Sequence, residues 1–207
     1  MLCLTQRTPE QWTRAALANL DAVLVDHAHC EMKAATNALS LAVRASEVPG
    51  VAGALIALAE EELAHFRRVF EELERRGIPL GTPPADAYAA ELRKIVRAHT
   101  FPTRGVAAPE RVEALVDRLL VAALIEARSC ERFRLLADAL AETGPADLCQ
   151  LYRELLAAEA RHYRTFVDLA EKVAGPGAGW VNVRFAELVT LEAELASRLG
   201  LFPAIHG

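Results

Sequence analysis

One spaced pattern of glutamate and histidine occurs twice in this sequence, and it constrains the fold more than any other feature. In each copy a lone glutamate precedes a Glu-x-x-His motif, by 31 residues in the first copy and by 33 in the second. The residues are Glu31, Glu62 and His65 in the first copy and Glu126, Glu159 and His162 in the second. Side chains three positions apart are neighbours on a helix, so both members of a motif can reach one ion. The pattern predicts four helices that direct six candidate metal ligands at one another.

Each of the six residues lies within the apolar stripe of its predicted helix. On the second long helix the stripe consists of Leu55, Leu58, Glu62, His65, Val69 and Leu73. Steps of three and four place such residues on one face, which should form the core. A buried ionised carboxylate is very costly without a partner, and four carboxylates would also repel one another. These charges therefore need a counter-charge inside the bundle.

Metal ions supply that counter-charge. Two divalent cations balance four carboxylates, and two neutral imidazoles complete a donor set that suits iron or manganese. Helices that carry Glu, Glu-x-x-His, Glu and Glu-x-x-His match the di-iron and di-manganese carboxylate proteins with a ferritin-like fold. The sequence therefore predicts a buried two-metal centre, with no catalytic residue beyond its six ligands.

Other glutamates compete with the proposed ligands. Glu131 is the rival of Glu126, but it lies about 140° further round the same helix, close to Arg128. We expect Glu131 to pair with arginine. The glutamates that follow the pattern of ordinary surface charges are Glu60, Glu61, Glu71 and Glu72.

Two histidines and a tyrosine near the predicted ligands also need an interpretation. His27 lies one turn before Glu31 on the same face, where it is either a satisfied core histidine or a partner of the ligand. His29 points elsewhere and is expected to be structural or exposed. Tyr152 shares the inward face of its helix but lies two turns, roughly 10 Å, from Glu159. Packing is therefore favoured over a radical role for Tyr152.

Hydrophobic periodicity predicts helices and no strands. The predicted helices cover residues 9–45, 51–76, 86–99, 109–142, 146–174 and 182–199, with a break in the first near Asn19. Thr8 is expected to cap the first helix, with Pro9 in its first turn, and Asn182 to cap the last. Gly77 is expected to end the second helix.

The lengths of the connections predict how the helices pair. Short links join the first two long helices and the last two, so each pair should form an antiparallel hairpin. The segment 77–109 contains five prolines and suits the long crossover between hairpins. The predicted fold is all-α, a single domain over residues 1–207. It is a ferritin-like four-helix bundle with a long crossover between helices two and three and an extra C-terminal helix.

Composition excludes several other classes of site. The net charge is −5, which argues against bulk nucleic-acid binding but leaves room for a local basic patch. No Cys-x-x-Cys pair is present, so no zinc knuckle or rubredoxin-type iron site is predicted. No apolar run reaches the roughly 18 residues of a membrane span, and no signal peptide is recognisable. We expect a cytoplasmic protein with reduced thiols, and no membrane partner.

Longer stretches of the sequence resemble one known family. The strings LVDHAHCEMKAA (residues 24–35), EELAHF (61–66), LRKIVR (92–97) and LIEARSCERF (124–133) are similar to the tRNA 2-methylthio-N6-isopentenyladenosine hydroxylase family. The resemblance extends from Cys3 to the last helix, and the six-ligand pattern shows no departure from the family. The string around residues 129–133 is far more specific than a lone Glu-x-x-His.

The resemblance implies a non-haem di-iron monooxygenase. Such an enzyme hydroxylates the isopentenyl side chain of the modified adenosine beside the tRNA anticodon, with molecular oxygen as co-substrate. One oxygen atom enters the substrate and the other leaves as water. Two electrons must come from an external donor, a reductase or ferredoxin system, because no flavin, haem or iron–sulfur site is recognisable. The six residues would hold two iron ions, with some carboxylates bridging them, in a monomer or a small oligomer.

A tRNA substrate requires contacts with phosphates. The crossover is the most basic stretch of this acidic chain, and the contacts predicted there are Arg93, Lys94, Arg97 and Arg104. An exposed arginine is often only a solvated charge, so this interpretation competes with an ordinary surface role. A prenyl side chain also requires an apolar channel to the metal pair.

Two other functions compete with hydroxylation. One is a ferritin-like protein that oxidises and stores iron or scavenges peroxide. A closed shell of many subunits would favour storage, whereas a monomer or dimer would count against it. The other is a metal-free helical module that binds RNA or protein, which analysis of metal content would distinguish.

Overall fold

Seven helices and no strand form the described part of the chain, which covers residues 2–83, 86–99, 108–198 and 202–205 of a computed structural model. The helices are α1 (Glu10–Leu17), α2 (Leu20–Arg44), α3 (Val51–Arg76), α4 (Ala87–Ala98), α5 (Glu110–Thr143), α6 (Ala146–Ala174) and α7 (Gly179–Arg198). The predicted all-α class and ferritin-like bundle are thereby confirmed.

The four long helices form two hairpins that pack face to face. Helix α2 packs along α3 and α5 packs along α6, and the hairpins meet through the pairs α2–α5 and α3–α6. The short helix α4 lies within the crossover and packs against α5 and α7. Helix α1 lies against α2 and α5. The crossover therefore places α4 beside the N-terminal half of α5.

Glycines in the left-handed conformation begin and end α3. Gly50 precedes the helix with a φ of 76°, and Gly77 follows it with a φ of 68°. The amide of Ile78 then donates to the carbonyl of Leu73 at 2.9 Å, which satisfies a backbone group at the helix end. A residue with a Cβ atom is strained at such φ values, so the predicted helix end at Gly77 has a steric cause.

The start of α1 differs from the sequence prediction. Pro9 precedes the first helical residue, and no side chain caps the helix. The prediction that Thr8 is the cap is wrong. Thr8 instead donates its amide to Glu131 at 3.1 Å and its hydroxyl at 2.7 Å. Glu131 is buried, so its carboxylate needs these donors more than the exposed first turn of α1 does.

The start of α7 also differs from the prediction. The helix begins at Gly179 rather than after Asn182. Gly177, with a φ of 81°, turns the chain after α6. The amide of Val181 then donates to the carbonyl of Ala178 at 2.9 Å, so a backbone turn starts the helix before Asn182 is reached.

Two apolar clusters fill the two halves of the bundle. One joins the second half of α2 and the first halves of α3 and α5 with α4 and α7. The other joins α1 and the first half of α2 with the second halves of α3 and α5. Helix α6 contributes to both clusters, with Leu155 on one side of its motif and Phe166 on the other. A band of buried polar side chains lies between the two apolar clusters, about halfway along the axis of the bundle.

Candidate metal centre

The six side chains singled out by the sequence lie together in this polar band. Four helices supply them: α2 carries Glu31, α3 carries Glu62 and His65, α5 carries Glu126, and α6 carries Glu159 and His162. Each is at most 8% exposed. The four carboxylates line one internal cavity. The bundle therefore gathers residues that are up to 131 positions apart in the sequence.

Glu62 and Glu159 each contact both imidazole rings. The Nδ1 atom of His65 is 3.4 Å from Glu62 Oε2 and 3.4 Å from Glu159 Oε1. The Nδ1 atom of His162 is 2.8 Å from Glu62 Oε1 and 3.5 Å from Glu159 Oε2. One ligand atom from each of these four residues lies within 4.8 Å of all the others. Each of the two carboxylates thus presents one oxygen to each histidine.

Glu31 and Glu126 flank this central group. Glu31 Oε2 is 3.6 Å from His65 Nδ1. Glu126 lies close enough to Glu159 for that carboxylate, after burial, to raise the pKa of Glu126. The arrangement has an inner pair of carboxylates in contact with both histidines and an outer pair at its margin.

The chemistry of the cluster fits metal ions. Within the described ranges, several of its buried atoms have no hydrogen-bond partner: both carboxylate oxygens of Glu62, Oε1 of Glu159, and Nδ1 of His65 and of His162. These atoms approach one another without the orientation of a hydrogen bond. Buried polar atoms without a partner are rare and costly in folded proteins. Oxygen and nitrogen donors that converge in this way can hold a metal ion, which would satisfy them together.

The shared burial of the carboxylates changes the protonation of the cluster. Burial and the charge of Glu159 raise the pKa of Glu62 to about 8 and the pKa of Glu126 well above its usual value. Burial alone would lower the pKa of His65, but its contacts with Glu159 and two other carboxylates raise it to about 12. The pKa of His162 rises to about 10 against the effect of burial, because the carboxylates of Glu159 and Glu62 lie close to its ring and favour the charged form. A metal ion binds the deprotonated forms of these side chains, so its binding would release the protons that the cluster holds.

His27 contacts a predicted ligand rather than filling the core alone. Its Nε2 atom lies 2.7 Å from Glu31 Oε1, and its side chain is fully buried. The ring stacks on Tyr152 at 5.4 Å and contacts Phe133 at 4.7 Å between centroids. Of the two interpretations left open by the sequence, the structure favours a partner that orients Glu31. Tyr152 packs against this imidazole, as the sequence predicted.

Replacement of His27 by glutamine is expected to weaken iron binding by roughly tenfold to a hundredfold. Side chains that hydrogen-bond a metal ligand orient it, and their loss typically costs that much affinity. His29→Gln is the matched control, because His29 lies on the same helix but contacts the carbonyl of Leu80 at 3.1 Å. Titration of ferrous iron under anaerobic conditions measures both affinities. Equal affinities in the two variants would contradict a role of His27 at the metal centre.

One contact of the cluster was missed by the sequence analysis. Glu61 is half exposed and was classed with ordinary surface charges, but its Oε2 atom is 3.2 Å from Nε2 of His162. The carboxylate therefore binds the ring nitrogen that faces away from the cluster. Such a contact fixes the tautomer and orientation of a ligating histidine. No signal in the sequence indicates it, because the partner lies on another helix.

Glu131 lies in a separate polar network. It forms an ion pair with the buried Arg128, which also reaches Glu192 of α7 at 2.6 Å. Tyr88 of α4 donates to the same Glu192 at 2.9 Å. The expected pairing of Glu131 with arginine is therefore present, and its carboxylate is not part of the six-residue cluster. This network ties α4, α5 and α7 together around the crossover.

Two adjoining cavities lead away from the cluster. The inner cavity, of about 40 Å³, is lined by the four carboxylates and by apolar side chains that include Ala89, Phe133 and Phe166. The outer cavity, of about 230 Å³, lies between α4 and α5. Its apolar lining residues are Val96, Ala114, Val121, Ala122 and Ile125. The residues Asn37, Arg93, Ala122 and Ile125 line both cavities and lie where the two cavities meet. We call the two adjoining cavities the passage.

The basic residues predicted to contact a substrate have different positions. Arg93 and Arg97 line the outer cavity. Lys94 is 70% exposed, lies 3.4 Å from Glu91, and lines neither cavity. Arg104 lies outside the described residues. Within the described ranges, no helix combines the length and apolarity needed to cross a membrane.

Comparison with protein families gives a match over the whole chain. The profile of the family described as tRNA-(ms2io6A)-hydroxylase (MiaE) matches residues 1–207. A relative from Pseudomonas putida, named tRNA 2-(methylsulfanyl)-N(6)-isopentenyladenosine(37) hydroxylase, is 44% identical over 79% of this chain and 72% of its own. A protein of the same name from Salmonella typhimurium is 37% identical over 68% of this chain and 46% of its own. The match thus spans less than half of the second relative.

A solved structure also resembles the whole fold. It is described as a protein with aldehyde deformylating oxygenase activity from Synechococcus. The two chains are 35% identical and superpose with a TM-score of 0.83 over 100% of this chain and 96% of the other. The bundle and its crossover are therefore shared with an oxygenase.

Proposed function

The chain belongs to the tRNA-(ms2io6A)-hydroxylase family, and we propose that it hydroxylates the isopentenyl side chain of 2-methylthio-N6-isopentenyladenosine next to the tRNA anticodon. The reaction depends on oxygen and on a non-haem di-iron centre. The observation that carries this proposal is the buried cluster of four carboxylates and two imidazoles beside a cavity that is partly lined by apolar side chains. An enzyme that oxidises a prenyl group needs a metal centre and an apolar lining through which the prenyl group approaches it.

The six side chains are proposed to hold two iron ions. Glu62 and Glu159, which each contact both histidines, would hold the ions together with Glu31 and Glu126. When bound, the iron pair supplies the activation of molecular oxygen for insertion of one oxygen atom into a C–H bond.

The cavities explain how a prenyl group reaches the cluster. The passage is walled by Ala122 and Ile125, and the inner cavity continues with Phe133 and Phe166. An apolar side chain gains free energy when it leaves water for such a lining. The same residues exclude bulk water from the reacting carbon, which limits side reactions. These walls therefore select an apolar substituent and orient it toward the carboxylates.

The charge at the outer end of the passage favours an anionic substrate. Arg93 and Arg97 line the outer cavity and are proposed to contact the tRNA. Lys94 and Arg104 are proposed to contribute further contacts with tRNA phosphates. A neutral aldehyde would make no use of these guanidinium groups, so the basic lining favours the anionic substrate.

Further components are required for turnover. We propose that an external reductase or ferredoxin system supplies the two electrons that reduce the second oxygen atom to water. The enzyme is proposed to act as a monomer or small oligomer in the cytoplasm, where a tRNA substrate is found.

Hydroxylation of prenylated tRNA by iron-loaded protein tests the proposal. The protein is incubated with the tRNA, oxygen and a chemical or enzymatic electron donor, and nucleosides are analysed by mass spectrometry. The expected product gains one oxygen atom, which carries the label when isotopically labelled oxygen gas is used. A long-chain aldehyde is the parallel substrate, for which no conversion is expected. Iron-loaded protein that converts the aldehyde but not the tRNA would contradict the proposal.

A further inference from the structure

The outer cavity concentrates positive charge from three helices. Arg93 and Arg97 of α4 and Arg118 of α5 line it. Arg44, at the end of α2, is close enough to act electrostatically on Arg118. The pKa of Arg118 is lowered most by burial. It is lowered further by the guanidinium groups of Arg44, Arg97 and Arg93. The sequence analysis did not select Arg118 or Arg44, because each is distant from the basic crossover in the chain.

Nearby acidic residues do not neutralise this charge. Asp117 also lines the outer cavity, but Arg184 of α7 donates to its two carboxylate oxygens at 2.8 and 2.9 Å. Within the described ranges, no carboxylate forms an ion pair with the guanidinium group of Arg93, Arg97 or Arg118. Gathering like charges without a counter-ion costs free energy. A bound anion would offset that cost.

We propose that Arg93, Arg97 and Arg118 form a binding site for a phosphodiester group of the RNA strand that carries the prenylated adenosine. The site thereby selects a nucleotide within RNA over the free nucleoside. This inference rests on the proposed function and identifies how the substrate is recognised outside the metal centre. Guanidinium groups suit this role because their paired N–H donors match two oxygens of one phosphate.

The order of groups along the passage supports this assignment. The four carboxylates of the cluster line only the inner cavity, Ala122 and Ile125 line both cavities, and Arg97 and Arg118 line only the outer one. A prenylated nucleotide has the same order, with the apolar chain first, the base next and the phosphate last. Asn37 borders both cavities, which places a polar side chain where the base would lie. A nucleotide that enters with its prenyl group first thus meets matching chemistry at each level.

Arg118→Gln tests the phosphate site, and Arg134→Gln is the matched control. Both arginines are exposed residues of α5, about 24 Å apart along the helix, and Arg134 does not line the outer cavity. Binding of a prenylated anticodon stem-loop is measured by fluorescence anisotropy in protein prepared without iron. The Kd is expected to rise roughly tenfold in Arg118→Gln, as for loss of a charged hydrogen bond, and to stay unchanged in the control. The slope of log Kd against log salt concentration reports how many counter-ions binding releases, and in Arg118→Gln that number should fall by about one.

Comparison of KM for the stem-loop with KM for the free nucleoside separates loss of phosphate recognition from a general loss of substrate binding. In iron-loaded protein, Arg118→Gln is expected to raise KM for the stem-loop roughly tenfold without raising KM for the free prenylated nucleoside. Arg97→Gln, on a different helix, should behave like Arg118→Gln. An unchanged Kd in both cavity variants, or an equal rise of KM for nucleoside and stem-loop, would overturn the inference. If the wild-type protein hydroxylates neither substrate but the cavity variants still bind the stem-loop more weakly, the proposed function fails and the phosphate site stands.

Discussion

Replacement of Glu62 by alanine is expected to abolish hydroxylation and to leave less than one iron ion bound per chain. Glu62 is fully buried and, like Glu159, presents one oxygen to each histidine. Its loss would remove a carboxylate that contacts both imidazole rings, whereas Glu31 contacts His65. We therefore expect a larger effect at Glu62 than at Glu31.

Thermal unfolding distinguishes loss of metal from loss of fold in this variant. Without iron, Glu62→Ala should unfold near the temperature of the wild-type protein, because the removed carboxylate is one that burial penalises. Excess ferrous iron should stabilise the wild-type protein by about 2.7 kcal/mol at a hundredfold excess over Kd, and the variant far less. Glu60→Ala is the matched control, since Glu60 is an exposed residue of the same helix. A variant that keeps the iron content and activity of this control would refute the assigned role of Glu62.

Replacement of Ile125 by tryptophan is expected to lower kcat/KM for prenylated tRNA by about a hundredfold while iron binding is retained. Ile125 borders both cavities and is only partly buried, so a larger ring can extend into the passage. The prenyl group would then stop short of the cluster, and misplacement by about 1 Å can cost a hundredfold in rate. Iron content and spectrum should match the wild-type protein because none of the six ligands is touched.

The control for the bulk of tryptophan is Ile56→Trp. Ile56 is 45% exposed on α3 and lines neither cavity, so the same substitution there should leave turnover unchanged. Hydrogen peroxide is small enough to reach the cluster past the larger ring, so any consumption of peroxide should be equal in the two variants. Normal hydroxylation of tRNA by Ile125→Trp would show that the substrate reaches the cluster by another route.

Local physics explains why much of the bundle could be predicted from sequence. The break near Asn19, the helix end at Gly77 and the two hairpins follow from turn chemistry and from periodicity within single segments. The convergence of Glu62 and Glu159 was also predictable, because a charged residue in the middle of an apolar stripe must find a partner in the core. These inferences needed only the pattern along each helix.

Most of the features that were missed depend on partners distant in sequence, and the start of α7 at a local backbone turn is the exception. Thr8 binds Glu131 instead of capping its own helix, and Glu61 binds His162 across the interface between α3 and α6. Arg118 joins the arginines of α4 only because the crossover lies against α5. No local pattern encodes such pairings. The helices could therefore be predicted from the sequence, whereas these side-chain contacts between helices are known only from the structure.

The iron content of the wild-type protein tests the central claim most directly. The protein is loaded with ferrous iron under anaerobic conditions, passed through a desalting column, and analysed for metal per chain. About two iron ions per chain should remain bound, as four carboxylates and two histidines in one buried cluster require. Protein that retains no iron after this treatment would contradict the account, and a helical module that binds RNA without metal would then explain the chain better.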